Sequence, residues 1–174
     1  MGNFKGLGAK GQSALELAVT LPVMIFLLFV TLEWGQIFVK HLRISTLCRE
    51  AALVANHECK DFQQDANAET NSNTAITCLN RVRDEMIVRA KTVLPNFEGR
   101  GDILLSLYGD VQAVTPGNGN FTTHYNSAAL DPLMLQKLGT VAVSEVFYNN
   151  VLVTPVEKFF DMLMPRLIYK ITVA

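Results

Sequence analysis

A long apolar run near the amino terminus dominates the pattern of hydrophobic and polar positions. Between residues 17 and 32 only Thr20 and Thr31 are polar, and two more apolar residues precede Glu16. The run amounts to about 19 residues, close to the roughly 20 that a helix needs to cross a bilayer. A core helix of this length would show a polar face, and this run has none. The pattern therefore predicts a membrane-spanning helix.

The helical pattern continues beyond the apolar run. Apolar residues recur at approximately helical spacing, with charged residues between them, at Val39, Leu42, Leu47, Ala51, Val54 and Ala55. We therefore expect one helix to extend to about Glu58. Pro22 has no N–H to donate to the carbonyl of Ala18, so a kink is expected there.

The remainder of the chain alternates between helical and strand patterns. Residues 59–74 are polar and predict a surface loop, and residues 75–94 predict an amphipathic helix that ends at Pro95. Strands are predicted over 103–108, 111–115, 140–148 and 166–174, a turn over 115–120, and short helices over 131–139 and 155–165. The fold class is therefore α+β: a long amino-terminal membrane helix that extends into a small, mostly antiparallel sheet domain with additional amphipathic helices.

Length and charge narrow the classes of function. The chain has 174 residues, enough for one domain and an anchor, and a formal net charge of −1. Without a basic stripe interleaved with aromatic residues, we expect no nucleic-acid partner.

Candidate chemistry is sparse. The histidines His41, His57 and His124 are far apart, and no Ser or Cys stands in a nucleophile motif. Cys59 and Cys78 lack the paired spacing of a metal site. We therefore expect no enzymatic activity, no metal and no cofactor.

Glu16 raises the question of how the apolar run is processed. A secretory signal peptide has a shorter apolar part followed by a small-residue cleavage site, which is absent here. An uncleaved signal anchor would have no use for a carboxylate that costs roughly 2.5 to 3.5 kcal/mol in hydrocarbon. A third interpretation places cleavage before the run, so that the helix stays with the mature protein.

The sequence from Lys10 through Glu16 resembles the processing site of type IV pilin-like proteins. Those proteins are cut after a glycine by a membrane aspartic peptidase, and a glutamate follows five residues later. The resemblance implies cleavage between Gly11 and Gln12, with Glu16 as the countercharge of the new amine on Gln12. The alternative is that Glu16 lies at the membrane interface and extends into the headgroups.

A narrower resemblance is to the TadE/TadF family of the tight-adherence (Tad, Flp) pilus system. It rests on "GQSALELAVTLPVMIFLLFVTLEWGQIF", with Leu21-Pro22 and then Glu33-x-Gly35, and on "TLCREAALVA" at 46–55. The two carboxyl-terminal strands also resemble that family. Leu17 stands where Phe is common and Ala51 where Gly is usual.

The resemblance implies a domain plan and a function. A prepilin-like leader would cover residues 1–11, the transmembrane helix and its extension 12–58, and an extracytoplasmic α+β domain 59–174. The protein would be a minor pilin, pseudopilin or assembly factor in the inner membrane, with its amino terminus cytoplasmic and its carboxyl-terminal domain periplasmic. An uncleaved, membrane-anchored binding or sensor module is the alternative.

The resemblance also implies the partners. They would be a prepilin peptidase, other Tad pilins and TadE- or TadF-like subunits, the inner-membrane assembly platform, and the lipid bilayer.

This topology also predicts which of the three cysteines are paired. In an oxidising compartment paired cysteines persist, so we expect a disulfide between Cys59 and Cys78 across the polar loop. Cys48 lies on the helix near the apolar positions and is expected to pack there as a small hydrophobic residue. A Cys48–Cys59 bond would have to span about 16 Å of helix, far beyond the reach of a disulfide.

Overall fold

A computed structural model describes residues 5–60, 68–109, 112–117, 119, 121–125, 139–151 and 167–174, with backbone alone over 5–12 and 68–72. Its architecture is α+β, as the sequence predicts. The elements in chain order are α1 (Lys5–Cys59), α2 (Ala68–Val93), α3 (Phe97–Arg100), β1 (Gly101–Tyr108), β2 (Ala113–Val114), β3 (Val141–Asn149) and β4 (Leu167–Val173).

The chain divides into two compact units. The described part of the first unit is α1 from Lys5 through Phe38. The second unit contains α1 from Val39 onward, together with α2, α3 and all four strands. The helix assignment is uninterrupted through Pro22, and the kink expected there stays a prediction.

The four strands form one antiparallel sheet in the order β2-β1-β3-β4. The long central pair aligns Gly101 with Tyr148 at one end and Tyr108 with Val141 at the other. All eight residues of β1 are buried, as are eight of the nine in β3. Burial on both faces explains why these strands contain few polar residues.

The core of the second unit lies between the two long helices and one face of the sheet. The helices contribute residues at helical spacing and the strands contribute alternate residues, as their periodicities of 3.6 and 2 require. The buried members include Ile44, Leu47, Cys48, Ala51 and Ala55 of α1, Leu79, Val82, Met86 and Ala90 of α2, and Ile103, Leu105, Leu107, Ala142, Val146 and Tyr148 of the sheet.

Specific bonds fasten the elements around this core. A disulfide joins Cys59 at the end of α1 to Cys78 in α2, with Cα atoms 5.8 Å apart, and this is the pair that the sequence predicts. Arg83 of α2 forms an ion pair with the buried Asp102 of β1 at 2.8 Å and donates to the carbonyl of Ile103. The Tyr148 hydroxyl donates to the Pro95 carbonyl at 2.9 Å.

Several element boundaries differ from the prediction. The loop predicted over 59–74 is wrong for residues 68–74, because α2 begins at Ala68. Residues 73 and 74 are exposed, so the start of the helix carries no apolar periodicity that could reveal it.

The second predicted strand is short where it is described, over Ala113–Val114. The regular backbone pairing of β2 with β1 ends at Thr115. There the Leu105 N–H donates to the Thr115 hydroxyl, where regular strand pairing would use a backbone carbonyl as the acceptor. The one-turn helix α3 was not predicted. The residue before it, Asn96, has the left-handed conformation with φ of 56° and redirects the chain after Pro95. The helices predicted over 131–139 and 155–165 lie outside the described residues, except Gly139.

Candidate functional site

The amino-terminal part of α1 presents apolar side chains on every side. All residues from 13 through 28 are exposed, including large ones such as Leu15, Val19, Met24 and Phe26. By length and composition, α1 is the one helix among the described residues that could cross a membrane. An exposed apolar surface of this extent indicates contact with lipid or with other chains. The helix is consistent with single-pass membrane anchoring.

The hydroxyl groups within the apolar run are satisfied by the helix itself. The Thr20 hydroxyl donates to the Glu16 carbonyl at 2.9 Å, and the Thr31 hydroxyl donates to the Leu28 carbonyl at 2.8 Å. Since hydrocarbon offers no hydrogen-bond partner, internal bonds of this kind are what a spanning segment requires. The two polar residues of the run are thus compatible with insertion.

The predicted processing residues lie along one helix. α1 begins at Lys5 and passes through Gly11 and Gln12, and Glu16 follows four residues after Gln12 on an exposed part of the helix. Residues four apart are neighbours on a helix surface. The helix therefore places Gln12 and Glu16 one turn apart on the same side of α1.

The second acidic residue of this segment has a different environment. Glu33 is only 1 % exposed, whereas Glu16 is exposed. The two acidic residues that contributed to the family resemblance therefore have opposite environments.

A buried polar cluster on the second face of the sheet was not predicted. The Glu145 carboxylate accepts hydrogen bonds from the Tyr169 hydroxyl at 2.8 Å and from the backbone N–H groups of His124 at 2.9 Å and Tyr125 at 3.1 Å. The Thr123 hydroxyl also donates to it. Burial, and then the bond to Glu145, raise the pKa of Tyr169. The available signal was a lone charge in the alternating strand "TVAVSEVFY", on the same side as Val143 and Phe147.

Cys48 is the free cysteine among the described residues, and it is buried. Its thiol donates to the Ser144 carbonyl at 3.1 Å, and burial raises its pKa. Since the thiolate is the reactive form, this environment makes the side chain inert. The expectation that Cys48 packs as a small hydrophobic residue is confirmed.

Comparison with known proteins bears on the amino-terminal helix. The family model described as TadE-like protein matches residues 11–53, a stretch that begins at Gly11 and contains the apolar run. No curated protein and no solved structure matches the chain. The match confirms the family resemblance of the amino-terminal helix. It also supports an association of the protein with a Tad pilus.

Proposed function

We propose that the chain is a TadE-like minor pilin, pseudopilin or assembly factor of a Tad pilus, anchored in the inner membrane and processed by a prepilin peptidase. One observation carries the proposal: the TadE-like match begins at Gly11 and contains residues 13–28, where the apolar side chains of α1 are exposed on all sides. Such a helix suits a subunit that resides in lipid and then packs against other subunits.

Cleavage between Gly11 and Gln12 requires the helix to open locally, because a peptidase must reach the backbone. The segment before the cut contains Gly6, Gly8 and Gly11, each of which weakens a helix by about 1 kcal/mol relative to Ala. Gly11 also carries no Cβ to obstruct the approach of catalytic groups. The sequence around the bond is thus suited to unwinding and hydrolysis.

Hydrolysis leaves an ammonium group on Gln12, with which the Glu16 carboxylate can pair. An unpaired carboxylate in hydrocarbon costs roughly 2.5 to 3.5 kcal/mol, and an ammonium group within reach offsets that cost. Gln12 and Glu16 are one turn apart on α1, so the pair can form within one chain or between adjacent chains. We propose that this pairing accompanies entry of the subunit into a pilus complex.

The topology we propose places the leader in the cytoplasm and the second unit in the periplasm. The Cys59–Cys78 bond supports this orientation, because disulfides persist in the periplasm and are rare in the cytoplasm. The proposed partners are the prepilin peptidase, other Tad pilins and TadE- or TadF-like subunits, the assembly platform, and the surrounding lipid.

Intact-mass measurement of the membrane-extracted protein tests the proposal. In cells that contain the peptidase, we expect a chain that starts at Gln12, and we expect Gly11→Val to retain the full leader. Gly8→Val is the matched control, because it adds the same side chain away from the cut and should leave processing intact. A full-length wild-type chain in such cells would overturn the proposal and favour the uncleaved binding or sensor module.

A further inference from the structure

The Glu145 side chain lies among apolar neighbours on the second face of the sheet. Its cross-strand partners are Leu104 on β1 and Ile171 on β4, and Phe147 follows two residues later on the same face. Glu145 is only 1 % exposed. A carboxylate buried in such surroundings costs several kcal/mol unless hydrogen bonds satisfy it. The groups that satisfy it therefore matter for this face of the sheet.

Three of the four donors to Glu145 belong to one short segment, residues 121–125, which we call the strap. The backbone N–H groups of His124 and Tyr125 bind one carboxylate oxygen, and the Thr123 hydroxyl binds the other. The fourth donor is the Tyr169 hydroxyl of β4. Hydrogen bonds to an ionised acceptor are stronger than neutral ones. One side chain of the sheet thus holds three consecutive residues of the strap.

Aromatic rings of the strap also pack against aromatic rings of the sheet. The Phe121 ring stacks on Phe147 at 5.1 Å between centroids, the His124 ring meets Phe147 edge-on at 5.6 Å, and Tyr125 lies 5.6 Å from Tyr108. Within the described part of the chain, the strap makes no backbone–backbone hydrogen bond to the sheet. Thr115 differs, because its backbone N–H donates to the Leu105 carbonyl at 2.8 Å. The polar anchorage of the strap therefore converges on Glu145.

We propose that residues 121–125 are a strap that the Glu145 carboxylate holds closed over the sheet, and that the strap opens as a unit when this anchor is lost. Segments with few backbone bonds open locally at lower free energy than the core strands do. Opening would break the contacts of Phe121 and His124 with the Phe147 ring and of Tyr125 with the Tyr108 ring. Loss of the Glu145 anchor would thus expose this part of the sheet's aromatic face.

Amide hydrogen exchange on the full-length protein in detergent micelles tests this proposal with Glu145→Gln. Glutamine offers one acceptor oxygen where the carboxylate offers two, so it cannot accept all four bonds. We expect exchange at His124 and Tyr125 to become roughly tenfold faster or more, since each bond to a charged group contributes about 1.5 to 3 kcal/mol. Exchange within the β1–β3 pairing should stay unchanged. Unchanged exchange in the strap, or equal acceleration throughout the sheet, would overturn the proposal.

Two further variants keep the test decisive. Thr123→Val removes one donor to Glu145 and leaves the carboxylate in place, so it serves if the glutamine variant does not fold. Its readout is faster exchange at His124, because the Tyr125 N–H also donates to the Thr123 hydroxyl at 3.3 Å and would lose that bond directly. Ser144→Ala is the matched control, because Ser144 is a buried polar residue next to Glu145 on β3, and strand alternation directs its side chain to the opposite face of the sheet. Ser144→Ala should leave exchange in the strap unchanged. Acceleration with Ser144→Ala equal to that with Glu145→Gln, or no acceleration at His124 with Thr123→Val, would contradict the proposal.

Discussion

Two stretches of α1 have the same secondary structure and opposite surroundings. Residues 13–28 are all exposed, although most of them are apolar. Between residues 44 and 55 the apolar side chains at Ile44, Leu47 and Ala51 are buried against α2 and the sheet. The first stretch is apolar on every side and the second on one side only. A uniform apolar surface fits lipid and neighbouring helices, whereas a one-sided surface fits a protein core.

Side-chain size differs between the two stretches for the same reason. The exposed stretch is rich in large apolar residues, five of them Leu, which provide the apolar area that a membrane-spanning helix needs. The buried stretch contains Ala51, Ala52 and Ala55, all completely buried, and small residues of this kind let two helices approach closely. One continuous helix thus carries two surfaces suited to two environments.

The largest expected difference comes from truncating one apolar residue in each stretch. Ile44→Ala removes a completely buried side chain and should lower the free energy of unfolding of the second unit by about 2 to 5 kcal/mol, because it leaves a cavity. Leu27→Ala removes a side chain that is 56 % exposed and should leave that free energy unchanged. Urea unfolding in detergent, followed by circular dichroism, measures both. Equal losses of stability in the two variants would remove the distinction between the stretches.

A smaller effect should follow from releasing the end of the buried stretch. Replacing Cys59 and Cys78 together by serine removes a bond that closes a loop with a sequence separation of 19 and should cost about 2 to 4 kcal/mol. Thermal unfolding without reductant measures the loss, and Cys48→Ala is the control that removes the free thiol and keeps the bond. Peptide mapping should recover Cys59 linked to Cys78; three free thiols in periplasm-exposed protein, or a Cys48 linkage, would contradict this bond.

The regular elements were predictable because their apolar residues recur with the period of the element. The alternating "TVAVSEVFY" became β3 with a shift of one residue, and the helix extension predicted to about Glu58 ends at Cys59. Cys48 was expected to pack and is buried. In each case local pattern and tertiary environment agree, so the sequence alone is informative.

The remaining features depend on contacts that local periodicity does not encode. The sequence of the first turns of α2 is polar, so composition indicated a loop. Val39 and Leu42 were grouped with the apolar side of α1 and are 44 % and 50 % exposed, while Ile44 was left out and is fully buried. Glu145 satisfies donors that lie 20 to 24 residues away in the chain. Over several turns, a spacing of about 100° per residue does not define the buried side of a helix sharply. Hydrogen-bond donors that are distant in sequence cannot be recognised from the local pattern around Glu145.

The most direct test of the pilus proposal is the amount of this protein that co-purifies with sheared pili when Glu16 is replaced by Ala. Glu50→Ala is the matched control, because Glu50 is a surface carboxylate farther along the same helix. It pairs with Arg89 at 3.2 Å. We expect Glu16→Ala to be cleaved and inserted normally and yet to be lost from the pilus fraction, while Glu50→Ala stays at the wild-type amount. A Glu16→Ala protein that is recovered with pili at the wild-type amount would contradict the role of Glu16 in assembly.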